Sequence, residues 1–271
     1  LHRVHRDMTP IPSQLLKIFQ DPRLARLNVG VFTLHLLLTA NFVALPLALR
    51  DSGLAGADQW RLYLPVMVLA LAAMVPAIIF AEKRRKLKPI LLGAILTLVL
   101  AQLLMALNSH HLAALALSLW LFFTAFNVLE ASLPSLVSKY VPPQNRGTAM
   151  GAYTSSQFIG AFMGGVTGGA IYGWLGSEAL FLGGALILLP WWVASLTMIP
   201  PPYLSSELLR IGVQTPAQAQ ALEAAMAQVE GVAYVAIDAD AGIAYLKVDR
   251  QQLDSEALGR FYVRGYESPA T

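Results

Sequence analysis

The chain alternates long apolar runs with short charged interruptions. Residues 62–81 and 89–108 contain no Asp, Glu, Lys or Arg. Apolar stretches of about 20 residues have the length that crosses a hydrocarbon layer as helix. On this pattern six spans are expected, at residues 24–49, 60–80, 89–107, 112–137, 148–172 and 179–199. They are expected to be helical, because lipid offers no partner to open backbone groups. Pro46, Pro65, Pro76, Pro134 and Pro190 fall inside them, which is tolerated where neighbouring helices cover the freed carbonyls.

Beyond residue 199 the pattern changes. Pro200, Pro201 and Pro202 form a stiff, extended spacer. A strand-like stretch follows at 207–213, then an Ala-rich helix at 216–228. Alternating runs at 232–238 and 243–248 flank the tight turn Ala239-Asp240-Ala241-Gly242 and read as a hairpin. A last helix is expected at 254–261. Strand, helix, hairpin, helix is a split β-α-β unit of ferredoxin-like type. About 65 residues is just enough for such a unit to fold alone. The expected fold class is therefore an all-α membrane bundle of six transmembrane helices followed by a small α+β ferredoxin-like cytoplasmic domain. The expected plan is a leading cytoplasmic segment (1–23), the bundle (24–199), a proline-rich linker (200–206) and the tail domain (207–271).

Composition sharpens this. Of 271 residues, 56% are hydrophobic and 13% charged, with a mean hydropathy of +0.57. Soluble domains carry about 25% charged residues. The absence of cysteine excludes disulfides and thiolate metal sites. The net charge of +3 does not point to nucleic acid, because the basic residues gather between spans. They gather on one side. Arg3, Arg6, Lys17, Arg23 and Arg26 lie in the leading segment and at the head of the first span. Lys83, Arg84, Arg85, Lys86 and Lys88 join the second to the third, and Lys139 and Arg146 the fourth to the fifth. The opposite side carries Arg50 and Arg61. Cytoplasmic loops hold the Lys/Arg excess, so both termini are expected in the cytoplasm, with the basic loop against anionic lipid headgroups. The start, Leu1-His2-Arg3, has no initiator Met and reads as the middle of a longer reading frame. The first apolar run lies too deep to be a cleaved leader.

Glu130 is the one charge within residues 119–137. A carboxylate at membrane depth is costly, and such residues usually face an interior cavity and have a task there. Asn127, three residues earlier, shares its helical face. Pro134, four residues later, removes the hydrogen bond that the Glu130 carbonyl would accept, which predicts a kinked polar patch. Two readings stand: a cavity-lining site that takes up a proton or holds a polar substrate, and a packing kink with a buried interhelical hydrogen bond. His35 and Asn41 in the first span are open in the same way, since a near-neutral imidazole can relay protons or simply bond a neighbour. Gln157 is equally open, and Gln102 reads as structural. Gly160, Gly164 and Gly168 recur every four residues with Gly165 beside them, a spacing that lets two helices approach closely. Trp191 and Trp192 read as interfacial or core packing. No GxSxG, Walker loop or HExxH is present, so an enzyme is not expected, and neither an organic cofactor nor a metal is implied.

Six helices with the basic connection Glu82-Lys83-Arg84-Arg85-Lys86-Leu87-Lys88 resemble one half of a major facilitator superfamily transporter. That superfamily has two related six-helix halves. The connection sits where the family has its signature loop, in the degenerate form typical of the second half. The fifth span from Gly151 to Gly169, with Gly160, Gly164, Gly165 and Gly168 inside it, is similar to the Gly-rich fifth or eleventh helix of family antiporters. A half followed by a cytoplasmic ferredoxin-like domain resembles a bacterial inner-membrane branch of the family. The resemblance implies a proton-coupled efflux transporter of small amphipathic compounds, working by alternating access with an N-terminal six-helix half that this chain lacks. Its substrate does not carry over. The alternative is a non-transporting scaffold or half-size protein whose tail binds a partner. The tail is also similar to heavy-metal-associated domains, which hold metal with a Cys-x-x-Cys before the first helix. Here that position reads Val213-Gln214-Thr215-Pro216, so soft-metal binding is not expected.

Overall fold

The computed structural model describes residues 18–141, 145–200 and 203–261. The expectations placed on Arg3, Arg6, Lys17, Pro201 and Pro202 lie outside them. The chain divides near Pro201/Pro202 into two compact units.

In the first unit, α1 spans Pro22–Asp51, α2 Trp60–Lys83, α3 Leu87–Leu107, α4 Leu112–Tyr140 and α5 Arg146–Leu196. Asp21 caps α1, its carboxylate accepting from the Arg23 amide at 2.9 Å, and Pro22 begins the first turn. The Arg23 guanidinium beside it holds the Asp21 carboxyl below the usual carboxylate range. The cap is therefore complete above the ordinary Asp pKa and is lost only as pH falls through the lowered value. Arg84, Arg85 and Lys86 alone link α2 to α3, with Arg85 at φ 53°. The basic stretch is thus mostly helix end: Lys83 closes α2 and Lys88 lies in the first turn of α3. Glu82 at its head binds Lys139 at 2.8 Å, tying α2 to α4.

A loop near 173–178 was expected between a fifth and a sixth span. The structure narrows it: α5 comprises two helical limbs that meet inside that stretch. It breaks at Gly176, with φ 81° and ψ −177°, a conformation essentially restricted to glycine. The limb before the break advances along α1, with Gly160 on Phe32, Gly164 on Leu36 and Gly168 on Ala40. The limb after it returns, with Gly184 beside Leu37 and Trp191 on Gly30. The chain therefore reverses at one residue, and no polar loop is needed to signal the turn. Among the described residues five helices are long and apolar enough to cross a membrane, α5 being the doubled one. Pro134 lies inside α4, which is helix from Leu112 to Tyr140. Leu129, Leu133 and Leu136 around the proline are fully buried, and close packing holds the helix through it.

The core of this unit is the α1 stripe Leu27, Val31, Leu34 and Leu45 against α4 and both limbs of α5. Trp191 is 3% exposed, which makes it core; the Trp192 indole N–H donates to the Leu92 carbonyl at 3.2 Å. Ser109 donates to Glu178 at 3.0 Å, fastening the α3–α4 link to the start of the returning limb.

The second unit has β1 (Ser205–Arg210), α6 (Pro216–Met226), β2 (Val232–Asp238), β3 (Ile243–Val248) and α7 (Ser255–Gly259). The strand order is β1-β3-β2, both pairings antiparallel, in registers Leu209↔Ala244 and Val235↔Leu246. The outer strands are thus mutually parallel and split by β3. The first strand starts at Ser205, inside the expected linker, and stops at Arg210 instead of residue 213. Ala244, Leu246 and Val248 alternate inward with period two and meet Leu209, Met226, Val235 and Leu258 in a closed core. Thr215, at the position that carries metal-binding cysteines in the similar domains, caps α6 in a capping box with Gln218. No cluster of metal-ligating side chains occurs among the described residues.

Candidate functional site

The intramembrane acid is met by two polar side chains from other helices. His35 on α1 is buried and its Nδ1 lies 3.1 Å from the Val31 carbonyl. A carbonyl only accepts, so Nδ1 carries a hydrogen. The other ring nitrogen, Nε2, faces Gln157 Nε2 of α5 at 2.8 Å. The same amide nitrogen donates to Glu130 Oε1 of α4 at 3.3 Å. Glu130 Oε2 lies 3.7 Å from His35 Nε2, beyond hydrogen-bond reach, and has no partner. The Glu130 side chain is 35% exposed against 11% for His35, so the acid is the open end of the trio. Phe126 packs edge-on to the imidazole at 5.6 Å.

A stripe extends from this trio along α4. Trp120 Nε1, Thr124 Oγ1, Asn127 Nδ2 and Glu130 Oε2 are all buried without a hydrogen-bond partner. Their spacing of four, three and three residues puts them on one helical face, over about 15 Å of helix. Tyr153 and Tyr63 add two more hydroxyls without partners. Native interiors leave few buried polar atoms unpaired, so a row of them calls for an explanation. Beside the row runs an aromatic series: Tyr63 stacks on Phe42 at 6.2 Å, Phe42 meets Phe123 at 6.1 Å, and Phe122 joins Phe123 to Phe126. The arrangement offers hydrogen-bond donors, one acid and apolar ring surface, which suits a molecule with a polar and an apolar end.

Of the residues expected at the site, Glu130, Asn127, His35 and Gln157 lie along this patch. Asn41 does not join them. It is 2% exposed and accepts from Gln102 Nε2 at 3.2 Å, in a separate buried pair. Trp120, Thr124, Tyr63 and Tyr153 were not singled out from the sequence. The i, i+3, i+4 spacing leading to Glu130 is the signal that marks Trp120 and Thr124.

The glycine expectation also divides. A Cβ on Gly160 or Gly164 would run into the backbone of α1 at Phe32 or Leu36, and one on Gly168 would come within 2.7 Å of Ala40 Cα. Thr39 Oγ1 donates to the Ala161 carbonyl across this contact at 2.8 Å. Gly165, in contrast, would meet nothing within 4 Å. It is removed from the packing set, because one residue turns a helix by about 100° and carries Gly165 off the contact face.

The sequence pattern of the Major Facilitator Superfamily matches residues 27–237, from within α1 through the other four long helices and into the tail. The chain belongs to that superfamily. The superfamily is one of transporters, not enzymes. The chain is 38% identical over 262 residues to the inner membrane transport protein YajR of Escherichia coli (strain K12). That match covers 97% of this chain and 56% of the relative. It is 30% identical over 192 residues to an uncharacterized transporter of Buchnera aphidicola subsp. Baizongia pistaciae, covering 68% of this chain and 47% of that one. The chain thus spans about half the length of the curated relatives it matches. The His35–Gln157–Glu130 trio joins three of the helices that this family match covers.

Proposed function

We propose that this chain is the second half of a proton-coupled transporter in a bacterial inner membrane, exporting small amphipathic compounds by alternating access. The observation that carries the reading is the trio itself: an intramembrane carboxyl, a histidine and an amide from three helices, with one carboxyl oxygen unpartnered. Such a group takes up and gives back a proton as its surroundings change. The doubling of α5 at Gly176 supports counting its limbs as two spans, which makes six. The strand order of the tail supports a ferredoxin-like domain, joined through the linker near residues 200–206. The Lys/Arg distribution supports cytoplasmic termini. The partners of this reading are lipid, protons, a small-molecule substrate and an N-terminal six-helix half, with no nucleic acid. The other half would supply the wall facing Trp120, Thr124, Asn127 and Glu130.

The test is Glu130→Gln in the complete transporter, reconstituted in liposomes under a proton gradient. The amide keeps shape and hydrogen bonding but carries no titrating proton. Proton-coupled flux is expected to vanish with folding retained, and Glu130→Asp is expected to keep part of the activity. Parental flux with parental pH dependence in Glu130→Gln would make the residue structural.

A further inference from the structure

Where α1 begins and α5 finishes, the bundle holds a cavity of about 550 Å³, whose lining includes Gln20, Asp21, Arg23, Arg26, Thr197 and Ile199. Small-molecule sites span about 300–1,000 Å³. None of the His35–Gln157–Glu130 trio lines it. Its charges do not balance. The Arg23 guanidinium donates twice to the Asp21 carboxylate, at 3.1 and 2.8 Å, so these two answer each other. Arg26 is left over. It is partly buried, and one of its terminal nitrogens donates to the Thr197 hydroxyl at 3.0 Å. That hydroxyl passes its own hydrogen to the Ala194 carbonyl at 3.0 Å. Among the described residues no carboxylate meets Arg26. A guanidinium offers several donors in a planar fork, and a neutral hydroxyl occupies one of them. The walls of the cavity are tied together. Arg23 lies over the Tyr140 ring of α4 at 5.8 Å, and the Tyr140 hydroxyl donates to the Ile199 carbonyl at 2.6 Å. Apolar surface continues from it. Ile199 is exposed, and so are Val29, three residues after Arg26, and Val193, four residues before Thr197. At those spacings they share faces with the cavity residues.

We propose that this cavity binds the phosphate of an anionic phospholipid, with Arg26 as the principal contact and Thr197 holding its guanidinium in place. A guanidinium fork matches phosphate oxygens two at a time, and such charge-assisted bonds are the strong ones. A partly buried cation is unfavourable without an anion to answer it. Both helices that frame the cavity are long and apolar enough to cross a membrane. Their ends then lie at headgroup level, where phosphate is the anion that the bilayer itself presents. Ile199, Val29 and Val193 offer the acyl chains a surface that a soluble phosphate would leave unused. The site differs from general headgroup attraction to the basic α2–α3 connection. That connection reaches the same end of the bundle through the Glu82–Lys139 bond, but its own Lys and Arg residues do not line the cavity. The inference rests on membrane insertion and is independent of proton coupling.

The experiment measures ligand retention on the full chain in detergent by native mass spectrometry, at an ionic strength of about 0.15 M. Three probes are added in turn: dioleoyl phosphatidylglycerol, dioleoyl phosphatidylcholine and soluble glycerol 3-phosphate. The anionic lipid is expected to bind with a single saturable site and more tightly than either of the others. Arg26→Gln is expected to weaken it by about 10- to 100-fold, as loss of charged hydrogen bonds does. Lys86→Gln removes a charge at the same end but outside the cavity, and screening is expected to hold its effect below about threefold. Should Arg26→Gln fail to fold, Thr197→Val removes the hydroxyl that holds Arg26 but leaves the charge, and is expected to weaken the lipid by about 2- to 10-fold. Equal loss in the Arg26 and Lys86 variants overturns the cavity as the site and assigns the attraction to the whole basic end. Glycerol 3-phosphate binding as tightly as the anionic lipid overturns the lipid as the ligand and leaves a site for soluble phosphate esters. Failure of the parent chain to retain the anionic lipid in preference to phosphatidylcholine overturns the proposal altogether.

Discussion

Gln102 and Asn41 show what a single residue can and cannot announce. Both are amides in apolar runs; from the sequence Asn41 reads as a pathway candidate and Gln102 as structural. The structure joins them to each other at 3.2 Å, with Gly184 making room for the Gln102 side chain. Interhelical hydrogen bonds in membranes contribute about 0.6 kcal/mol on average and at most about 1.7 kcal/mol. A double-mutant cycle of Gln102→Leu and Asn41→Leu, read by unfolding in mixed micelles, is therefore expected to give a coupling energy in that range. A coupling near zero would mean the pair is incidental. The same logic explains what was legible at the site. Glu130, His35 and Gln157 stood out because charge or a strong dipole is expensive in an apolar run, so its presence demands a partner. Trp120, Thr124, Tyr63 and Tyr153 did not, because indoles and hydroxyls ride on largely apolar side chains and carry no such penalty into the pattern. Their role emerges only when the partners of each polar atom are followed through space.

At the scale of elements, the contact of α5 with α1 depends on three glycines and not on their neighbours. Gly164→Leu is expected to destabilise the bundle by about 1–3 kcal/mol or more, since overpacking against backbone has no side chain to yield. Gly165→Leu is expected to stay within about 0.5 kcal/mol of the parent, as open surface substitutions do. Thermal unfolding of the two variants side by side measures the difference. Equal destabilisation would show that the contact face is misassigned. Gly176 is the other glycine with a structural reason: its φ of 81° with extended ψ is closed to residues bearing Cβ. Gly176→Ala is expected to cost about 1–3 kcal/mol and to disturb the reversal, visible as lower thermal stability. The reversal was legible to within a few residues: a connection was expected at 173–178, and the chain turns at Gly176 inside it. That a single residue makes the turn was not legible, because its neighbours Trp174 and Leu175 are apolar. The tail hairpin was legible to the residue at 232–238 and 243–248, because period-two alternation with a Gly-containing turn has a single solution. The first strand slipped by two to three residues, since Leu208, Leu209 and Ile211 mark no edge by themselves.

At the scale of the whole molecule, each of the two units encloses a core of its own. The tail closes Leu209, Met226, Val235 and Leu246 behind a capped helix, and the bundle buries α1 against α4 and α5. Truncation after Ile199 is therefore expected to leave membrane insertion and the thermal stability of the bundle near parental, and aggregation of the shortened chain would contradict it. The bundle also carries a row of buried polar atoms without hydrogen-bond partners, from Trp120 to Glu130; the Glu130 side chain is 35% exposed within this chain while its Oε2 is buried. Facilitator sites lie between two halves that rock about them, and the curated relatives are nearly twice as long as the matched segment. On the proposed two-half reading, the polar row of this chain is one wall of the site, and an N-terminal six-helix half supplies the other wall and the body against which access alternates. The purified chain in liposomes is therefore expected to show no saturable, gradient-driven flux of amphipathic dyes. Co-reconstitution with an N-terminal six-helix half is expected to restore it. Saturable flux from the chain alone would overturn this, and crosslinking would then show whether two copies had paired so that each supplied the other's missing wall.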